Sequence, residues 1–393
     1  MSHTQYLIIG GGMTADSAVQ GIRHADANGS IGIISVEPHP PYNRPPLSKG
    51  LWKGDAIESI WRKTESPGVE LHLGREVKHL DAKNKRVTDD QGTVHTFEKL
   101  LLATGGSVRR LPFGGDHIIY FRTLDDYQRL RALTEKGKRF AVIGGGFIGW
   151  EVAAALAMNG RRVTMLFPEE GIGSRIYPRG LSQFLNGFYR EKGVEVLPGE
   201  TAVALERHGE SFVLKTKSGR ALEVDGVAAG IGIQPNTALA EAAGLETGNG
   251  VVVNEKLQTS QPDIYAAGDL AEFYNPALGK RMRVEHEDNA NTMGQAAGEA
   301  MAGKAAPYHH LPFFYSDLFD LGYEAVGELD SRLETFSDWK TPQREGVVYY
   351  LDKGRVRGVL LWNTWGQVDH ARKLIAEAGP FKGSDLKGRL PVE

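Results

Sequence analysis

The chain contains no cysteine. That absence excludes a disulfide framework, a thiolate-ligated metal and a cysteine nucleophile. Any redox chemistry must then be carried by a bound cofactor. Runs of lysine or arginine are also missing, and the formal charge is only −3, so neither nucleic acid nor anionic membrane is expected as a partner. No uninterrupted apolar stretch of membrane length is present either. The longest candidate, residues 141–158, holds four glycines and Glu151 and reads as strand, turn and helix rather than as a span. Residues 1–5 show neither the basic segment nor the apolar run of a signal peptide. The expectation is a soluble, cytoplasmic protein without membrane insertion.

With 393 residues, 41% apolar and 24% charged, the composition is ordinary for a globular chain, and the length suits two or three domains. The 49 glycines fall in short clusters between apolar runs, as phosphate-cradling turns would place them, though other tight turns use glycine too.

One phrase occurs twice. Tyr6-Leu7-Ile8-Ile9 meets Gly10-Gly11-Gly12, a helical stretch from Thr14 to about Ala27, and a second strand, Ile31 to Val36, ending at Glu37. Later, Phe140-Ala141-Val142-Ile143 meets Gly144-Gly145-Gly146, a helix through Met158, and a strand, Arg162 to Phe167, followed by Glu169. Two such repeats predict two βαβ units. Short alternating strands within Val77–Leu102, and again in Phe212–Thr216 with Gly226–Gly230, predict a β meander inserted in each. From about Pro307 strands (324–327, 347–351, 356–361) and one helix (367–378) predict a separate domain, with a loosely attached tail after Gly379. The fold class expected is α/β: two Rossmann-like dinucleotide-binding domains with inserted β meanders, plus a C-terminal α+β domain.

Gly10-x-Gly12-x-x-Ala15 follows a strand and opens a helix. The first glycine makes the tight turn, the second lets a pyrophosphate approach, and a small third residue lets helix and strand pack closely. The helix start offers free N–H groups and positive potential to phosphates. Glu37 is placed to accept from ribose hydroxyls. Gly144-x-Gly146-x-x-Gly149 with Glu169 makes the same case again. A carboxylate about 4 Å from a phosphate charge costs about 1 kcal/mol in water and about 4 at an effective dielectric of 20. Glu169 is therefore expected to favour NADH over NADPH by roughly one to three orders of magnitude, although Arg161, Arg162 and Arg175 lie nearby in sequence. Gly268-Asp269 ends a later strand, and Asp269 is placed to bond a ribityl hydroxyl or to cap a helix.

Further motifs are more specific. Tyr42-Asn43-Arg44-Pro45-Pro46-Leu47-Ser48-Lys49, Ala103-Thr104-Gly105 and Ile264-Tyr265-Ala266-Ala267-Gly268-Asp269 resemble the FAD-dependent ferredoxin and rubredoxin reductases and apoptosis-inducing factor. Leu166-Phe167-Pro168-Glu169, Glu272-Phe273-Tyr274-Asn275, Val284-Glu285-His286-Glu287-Asp288 and Leu361-Trp362-Asn363 are most similar to the apoptosis-inducing-factor branch. The resemblance spans nearly the whole chain. It implies an FAD domain at residues 1–120 and 250–306, an NADH domain at 121–249 and a C-terminal domain at 307–393 covering the flavin. It implies cofactors FAD and NAD, with an FAD site of Gly10, Gly12, Ala15, Glu37, Arg44, Lys49, Ala103, Thr104, Gly105, Gly268, Asp269, Glu285, His286 and Tyr315. The implied NAD site is Gly144, Gly146, Phe147, Gly149, Glu151, Glu169, Glu285 and Glu324. By the same resemblance, Lys49 and Glu151 form an ion pair at the flavin's reactive edge, Phe147 gates the nicotinamide pocket, and His286 lies against flavin or nicotinamide.

Three departures from that pattern stand out. Tyr315 replaces the family's usual tryptophan, the loop before Val347 is short (residues 337–346), and no redox cysteines accompany the flavin. The activity implied is hydride transfer from NADH to FAD. The acceptor, whether quinone, ferredoxin or rubredoxin, is left open. So are two alternative roles: reductase component of an oxygenase chain, and NADH sensor whose homodimerisation is the output.

Overall fold

The computed structural model describes residues 2–390, and the outermost termini of the sequence fall outside this range. The chain divides into two compact units. The first comprises Met1–Asn43, Glu58–Ser107 and Gln234–Phe313; the second comprises Arg44–Ile57, Val108–Ile233 and Phe314–Glu393.

The first unit is built on a sheet whose parallel core runs Val69–Leu73, Ile31–Ser35, Ser2–Ile9, Val94–Leu102. Ile264–Ala266 adds a further parallel strand beside Leu100–Leu102. Leu7, Ile8, Ile33, Leu100 and Leu101 are all buried, as strands covered on both faces require, which is why they read as continuous apolar runs. The antiparallel strands Val77–Asp81 and Arg86–Asp89 continue the sheet from the near half of Val94–Leu102. Val94–Leu102 is thus one continuous strand that serves both the meander and the parallel core.

In the second unit a five-stranded parallel sheet runs Val194–Pro198, Arg162–Phe167, Arg139–Ile143, Gly226–Ala229, Ile118–Tyr120. A three-stranded meander, Ala202–His208, Ser211–Thr216 and Ala221–Val224, is inserted before its last strand in sequence. The C-terminal part is a five-stranded sheet ordered Phe313–Leu318, Leu321–Gly327, Arg355–Trp362, Glu345–Asp352, Glu334–Thr341, with the helix Val368–Ala376 packed on it. Residues 141–158 form strand, glycine turn and helix, and among the described residues no helix is long and apolar enough to cross a membrane.

Two sequence expectations are corrected here. The stretch 337–346 is mostly strand: Glu334–Thr341 pairs with Glu345–Asp352, leaving a connection of only residues 342–344. The tail after Gly379 is not loose. Leu386 and Leu390 are buried, Arg389 pairs with Glu377 at 2.5 Å, and the Gly388 N–H donates to Asp338 at 2.7 Å. Two leucines four residues apart supply the anchor that a polar composition conceals.

Candidate functional site: two glycine turns and a buried ion pair

The two glycine turns share one geometry. Gly10 (φ +114°) and Gly144 (φ +120°) occupy a region that disfavours side chains. A Cβ on Gly10 would lie 2.1 Å from the Ala103 carbonyl oxygen, and one on Gly144 would lie 2.3 Å from that of Gly230. At the third position a Cβ on Gly149 would meet the Gly144 oxygen at 2.0 Å, whereas the first turn accepts the methyl of Ala15, fully buried. The middle glycines differ from all of these. Around Gly12 and Gly146 nothing lies within 4 Å of a Cβ position, and each is the N-cap of its helix with no side-chain cap. Each turn therefore presents open space beside uncapped N–H groups, a fit for a dinucleotide pyrophosphate.

The acids flanking the turns are both engaged. Glu37 accepts from the Tyr42 hydroxyl at 2.5 Å. Glu169 pairs with Arg175 at 2.6 Å. Sequence proximity had suggested Arg161 and Arg162 as well, but these lie at the opposite end of the strand Arg162–Phe167.

Lys49 and Glu151 meet as the resemblance implies, at 2.6 Å. Pro45 and Pro46 open a single turn of 3-10 helix, Pro45–Leu47, and a second turn, Gly50–Trp52, follows. Lys49 sits between the two. Its partner Glu151 is 5% exposed and is fully provided with donors. The Ser48 hydroxyl donates to Oε2 at 2.6 Å, while Lys49 Nζ and the Ser316 hydroxyl, at 2.5 Å, donate to Oε1. Ser316 in turn accepts from Trp150 Nε1 at 2.8 Å. A buried carboxylate needs this many partners to remain charged. Beneath it lies an aromatic layer: Trp150 packs on Tyr177, which packs edge-to-face on Tyr323 and Trp362, at centroid distances of 5.7–5.8 Å. Phe147, half-buried, contacts Trp150 and Phe314. Lys49 Nζ lies 5.3 Å from the Tyr315 ring centroid.

In the first unit, Ala103-Thr104-Gly105 is pinned by Asn236, whose side chain donates to the Thr104 carbonyl at 2.8 Å and whose N–H donates to that of Gly105 at 3.0 Å. Gly268 (φ +73°) approaches Thr14 closely. Asp269 lies inside the 3-10 turn Gly268–Leu270 rather than capping a helix. Arg283 donates to the Asp269 carbonyl at 3.0 Å and pairs with Glu285 at 2.7 Å, and its buried Nε has no partner among the described residues. His286 holds the N-cap position of helix Glu287–Met301, yet its side chain makes no capping bond. Its surface is partly open to solvent, but enough protein surrounds the imidazole that burial pushes its pKa down to about 4, against a smaller opposing pull from Asp269 and Asp288. The ring is neutral at physiological pH. Among the remaining candidates, Arg44 donates to the Arg122 carbonyl at 3.0 Å. Glu324 accepts the Gly366 N–H at 3.2 Å, and burial raises its pKa. Ser48, Trp150, Ser316, Asn236 and Gly230 were not legible as participants. Ser48 lies within the Tyr42–Lys49 motif, which by itself gives it no role, the other four carry no motif of their own, and the partners of all five are distant in the chain.

Comparison with known proteins places this geometry. The profile of the pyridine nucleotide-disulphide oxidoreductases matches residues 4–294. The chain belongs to that family. A second profile, the C-terminal region of mitochondrion-associated apoptosis-inducing factor, matches residues 297–345. The chain is 35% identical to apoptosis-inducing factor 1, mitochondrial, of Dictyostelium discoideum, covering 94% of this chain and 78% of that one. It is also 35% identical to the 5,5'-dehydrodivanillate O-demethylase ferredoxin reductase subunit of a Sphingobium strain, covering 96% and 94%. Among solved structures it is similar to putidaredoxin reductase in its covalent complex with putidaredoxin, with a TM-score of 0.88, 29% identity and 97% and 94% coverage. This member of the pyridine nucleotide-disulphide oxidoreductases is an FAD-dependent NAD(P)H oxidoreductase of the ferredoxin reductase-like and apoptosis-inducing-factor-like type. Despite the family's name, it has no cysteine with which to exchange a disulfide.

Proposed function

We propose that the chain takes a hydride from NADH onto FAD and hands the electrons to a separate acceptor. The observation that carries this reading is the doubled glycine turn, with its middle glycine open at an uncapped helix start and an acid at the end of the next strand. In this reading Gly10, Gly12, Ala15 and Glu37, with Ala103–Gly105, Gly268 and Asp269, hold FAD. Gly144, Gly146, Gly149 and Glu169 hold the nicotinamide dinucleotide. Bound FAD supplies a ring that accepts a hydride and gives up electrons singly or in pairs.

The chain's own residues supply position and charge. Lys49 is an ammonium fixed by a saturated carboxylate, so it stabilises negative charge beside it at little cost in rearrangement. Glu151 tempers that charge and keeps the ammonium in place. Neutral His286 offers a flat, uncharged face, and Phe147 a ring that can turn aside for a planar ligand. No side chain needs to act as acid or base for the hydride itself.

A ferredoxin-type protein as acceptor is the second reading, and the names of the Sphingobium subunit and of putidaredoxin reductase favour it. Anaerobic titration of the purified protein with NADH, then NADPH, tests both. Bleaching of a bound-flavin band with a persistent long-wavelength absorption supports slow transfer to small diffusible acceptors such as quinones. Bleaching without it, and fast reoxidation by an added ferredoxin, supports the reductase reading. A purified protein that holds no flavin even after reconstitution rejects the assignment of the first turn.

A further inference from the structure

The sequence holds four Asn-Gly dipeptides, at 28–29, 159–160, 186–187 and 249–250. Asparagine before glycine is a reactive pair. The backbone nitrogen of the glycine can close a five-membered ring on the asparagine side-chain carbonyl, and no glycine side chain hinders it. That nitrogen attacks only after giving up its proton, so an N–H held in a hydrogen bond is withdrawn from the reaction. Three of the four are held. Gly29 N–H donates to Asp26 Oδ1 at 3.0 Å, Gly160 N–H donates to the Ala157 carbonyl at 2.9 Å, and Gly187 lies inside helix Arg179–Glu191, whose ladder engages its N–H. Asn159 and Asn186 also commit their carboxamides to the Trp52 and Glu170 carbonyls, at 3.1 and 3.0 Å. Asn249 differs. It is exposed at the tip of a tight turn, closed by the Gly248 N–H donating to the Gly250 carbonyl at 2.8 Å. Neither its carboxamide nor the Gly250 N–H has a hydrogen-bond partner among the described residues.

The same turn abuts the segment that carries Asp269. Val251–Val252, directly after it, pairs with Ala271–Asn275, which follows the 3-10 turn Gly268–Leu270. A Cβ on Gly250 (φ +151°) would lie 2.4 Å from the Leu270 carbonyl oxygen and 3.0 Å from Arg283 Cδ, and Arg283 holds the Asp269 carbonyl. Glu272 accepts the Asn249 N–H at 2.8 Å. We infer that Asn249 is a site of self-modification, converting to isoaspartate and aspartate, and that the conversion loosens the hold of the first unit on FAD. The Gly250 nitrogen gives its proton to water and bonds to Asn249 Cγ. The Cγ–Nδ2 bond then breaks, and the amide nitrogen takes up a proton and leaves as ammonia. Water opens the cyclic imide at either carbonyl and leaves a carboxylate, so the net exchange is water in and ammonia out. Opening at the main-chain carbonyl routes the backbone through Cβ and lengthens it by one carbon, against a Leu270 backbone that already excludes a methyl group. In both products the new negative charge stands beside Glu272 and is repelled by it. The coupling to FAD rests on the reading that Gly268 and Asp269 hold that cofactor; the modification itself does not.

Ageing the full-length holoprotein in warm neutral buffer for weeks tests both parts. Mass spectrometry of digested samples reads each of the four sites for the exchange of amide for carboxylate, and bound flavin is read in the same samples after gel filtration. Asn249 should convert at least about fivefold faster than Asn28, Asn159 or Asn186, the factor for breaking one N–H bond before attack. Flavin lost should rise with the converted fraction. Asn249→Gln, whose longer side chain would have to close a less favourable six-membered ring, should keep its flavin through the same period. Asn28→Gln should age as the unaltered protein does. Conversion at Asn28 as fast as at Asn249, or none at Asn249, overturns the site. Conversion at Asn249 with flavin retention equal to that of Asn249→Gln overturns the coupling. A protein that holds no flavin at the outset rejects the FAD reading of the first turn and the coupling with it, while the masses still decide the site.

Discussion

At the scale of single residues the decisive group is Glu151, because three side chains converge on it from two distant stretches of sequence, Ser48–Lys49 and Ser316. Ser316 is the link most open to test. Removing its hydroxyl takes a donor from a buried carboxylate and leaves the Trp150 indole N–H without an acceptor. Ser316→Ala should therefore destabilise the protein by about 1–3 kcal/mol in chemical denaturation. Adding Trp150→Phe should give a double variant less damaged than the sum of the singles, since the stranded donor is then gone. An additive result would show that the indole does not depend on Ser316. The His286 imidazole gives a second prediction, about pH. Its folded pKa of about 4 lies below the ordinary 6.5, so between those values the unfolded chain binds a proton that the folded chain refuses. Stability is then fully present above about pH 6.5 and declines toward pH 4 by up to about 3 kcal/mol. His286→Gln should flatten that decline in stability curves taken across the same range. Lys49, Glu151 and His286 could be singled out through family resemblance, but the serines could not. A serine's role is set by which acceptor the fold brings to it, and Ser316 finds its acceptor 165 positions away.

Among the elements, glycine decides how closely two helices approach. In the first unit helix Met13–Ala25 packs against Glu287–Met301. A Cβ on Gly21 would meet the Gln295 carbonyl oxygen at 2.1 Å, and one on Gly298 would meet that of Ala18 at 2.1 Å. Backbone faces backbone along this seam, with no side chain able to yield. Gly298→Ala should cost about 1–3 kcal/mol or more, read as a lower melting temperature. Gly187, in helix Arg179–Glu191 with open space at its Cβ position, provides the opposite case. Gly187→Ala should raise stability by up to about 1 kcal/mol through helix propensity alone. The buried parallel strands were legible because burial on both faces leaves continuous apolar runs. Strand Glu334–Thr341 was not, since it carries serine, aspartate and lysine and has no fully buried residue, and its place is set by pairing with a neighbour. The helix seam was equally hidden. Its glycines are scattered through helical sequence, where composition alone counts them as weak points.

Across the whole molecule the sequence repeat and the three-dimensional units do not coincide in chain order. The parallel sheet of the second unit uses strands between Ile118 and Ala229, nearly continuous in sequence. The first unit takes its N-terminal strand and helix from the opening residues, but its strand Ile264–Ala266 and helix Glu287–Met301 from far later. The doubled phrase revealed that there are two nucleotide folds. Which later segment completes the first came from recognising Gly268-Asp269, since closure over such a distance leaves no local signature.

This discontinuity has a consequence for biosynthesis. As the chain leaves the ribosome, the N-terminal helix emerges almost at once, yet the glycine seam that seats it requires the segment ending at Met301. The later-encoded sheet is complete once Ala229 has cleared the exit tunnel. The parallel sheet begun first is thus completed after the one begun second, and its Ile- and Leu-rich strands wait unsealed while the other sheet closes. Nascent chains stalled at increasing length and pulsed with protease should show this inversion. Protection of the sheet between Ile118 and Ala229 should come first, and protection of the N-terminal strands only in chains extending beyond Met301. Protection of the N-terminal strands in chains stalled near Ala229 would mean that the opening βαβ segment closes without its distant helix.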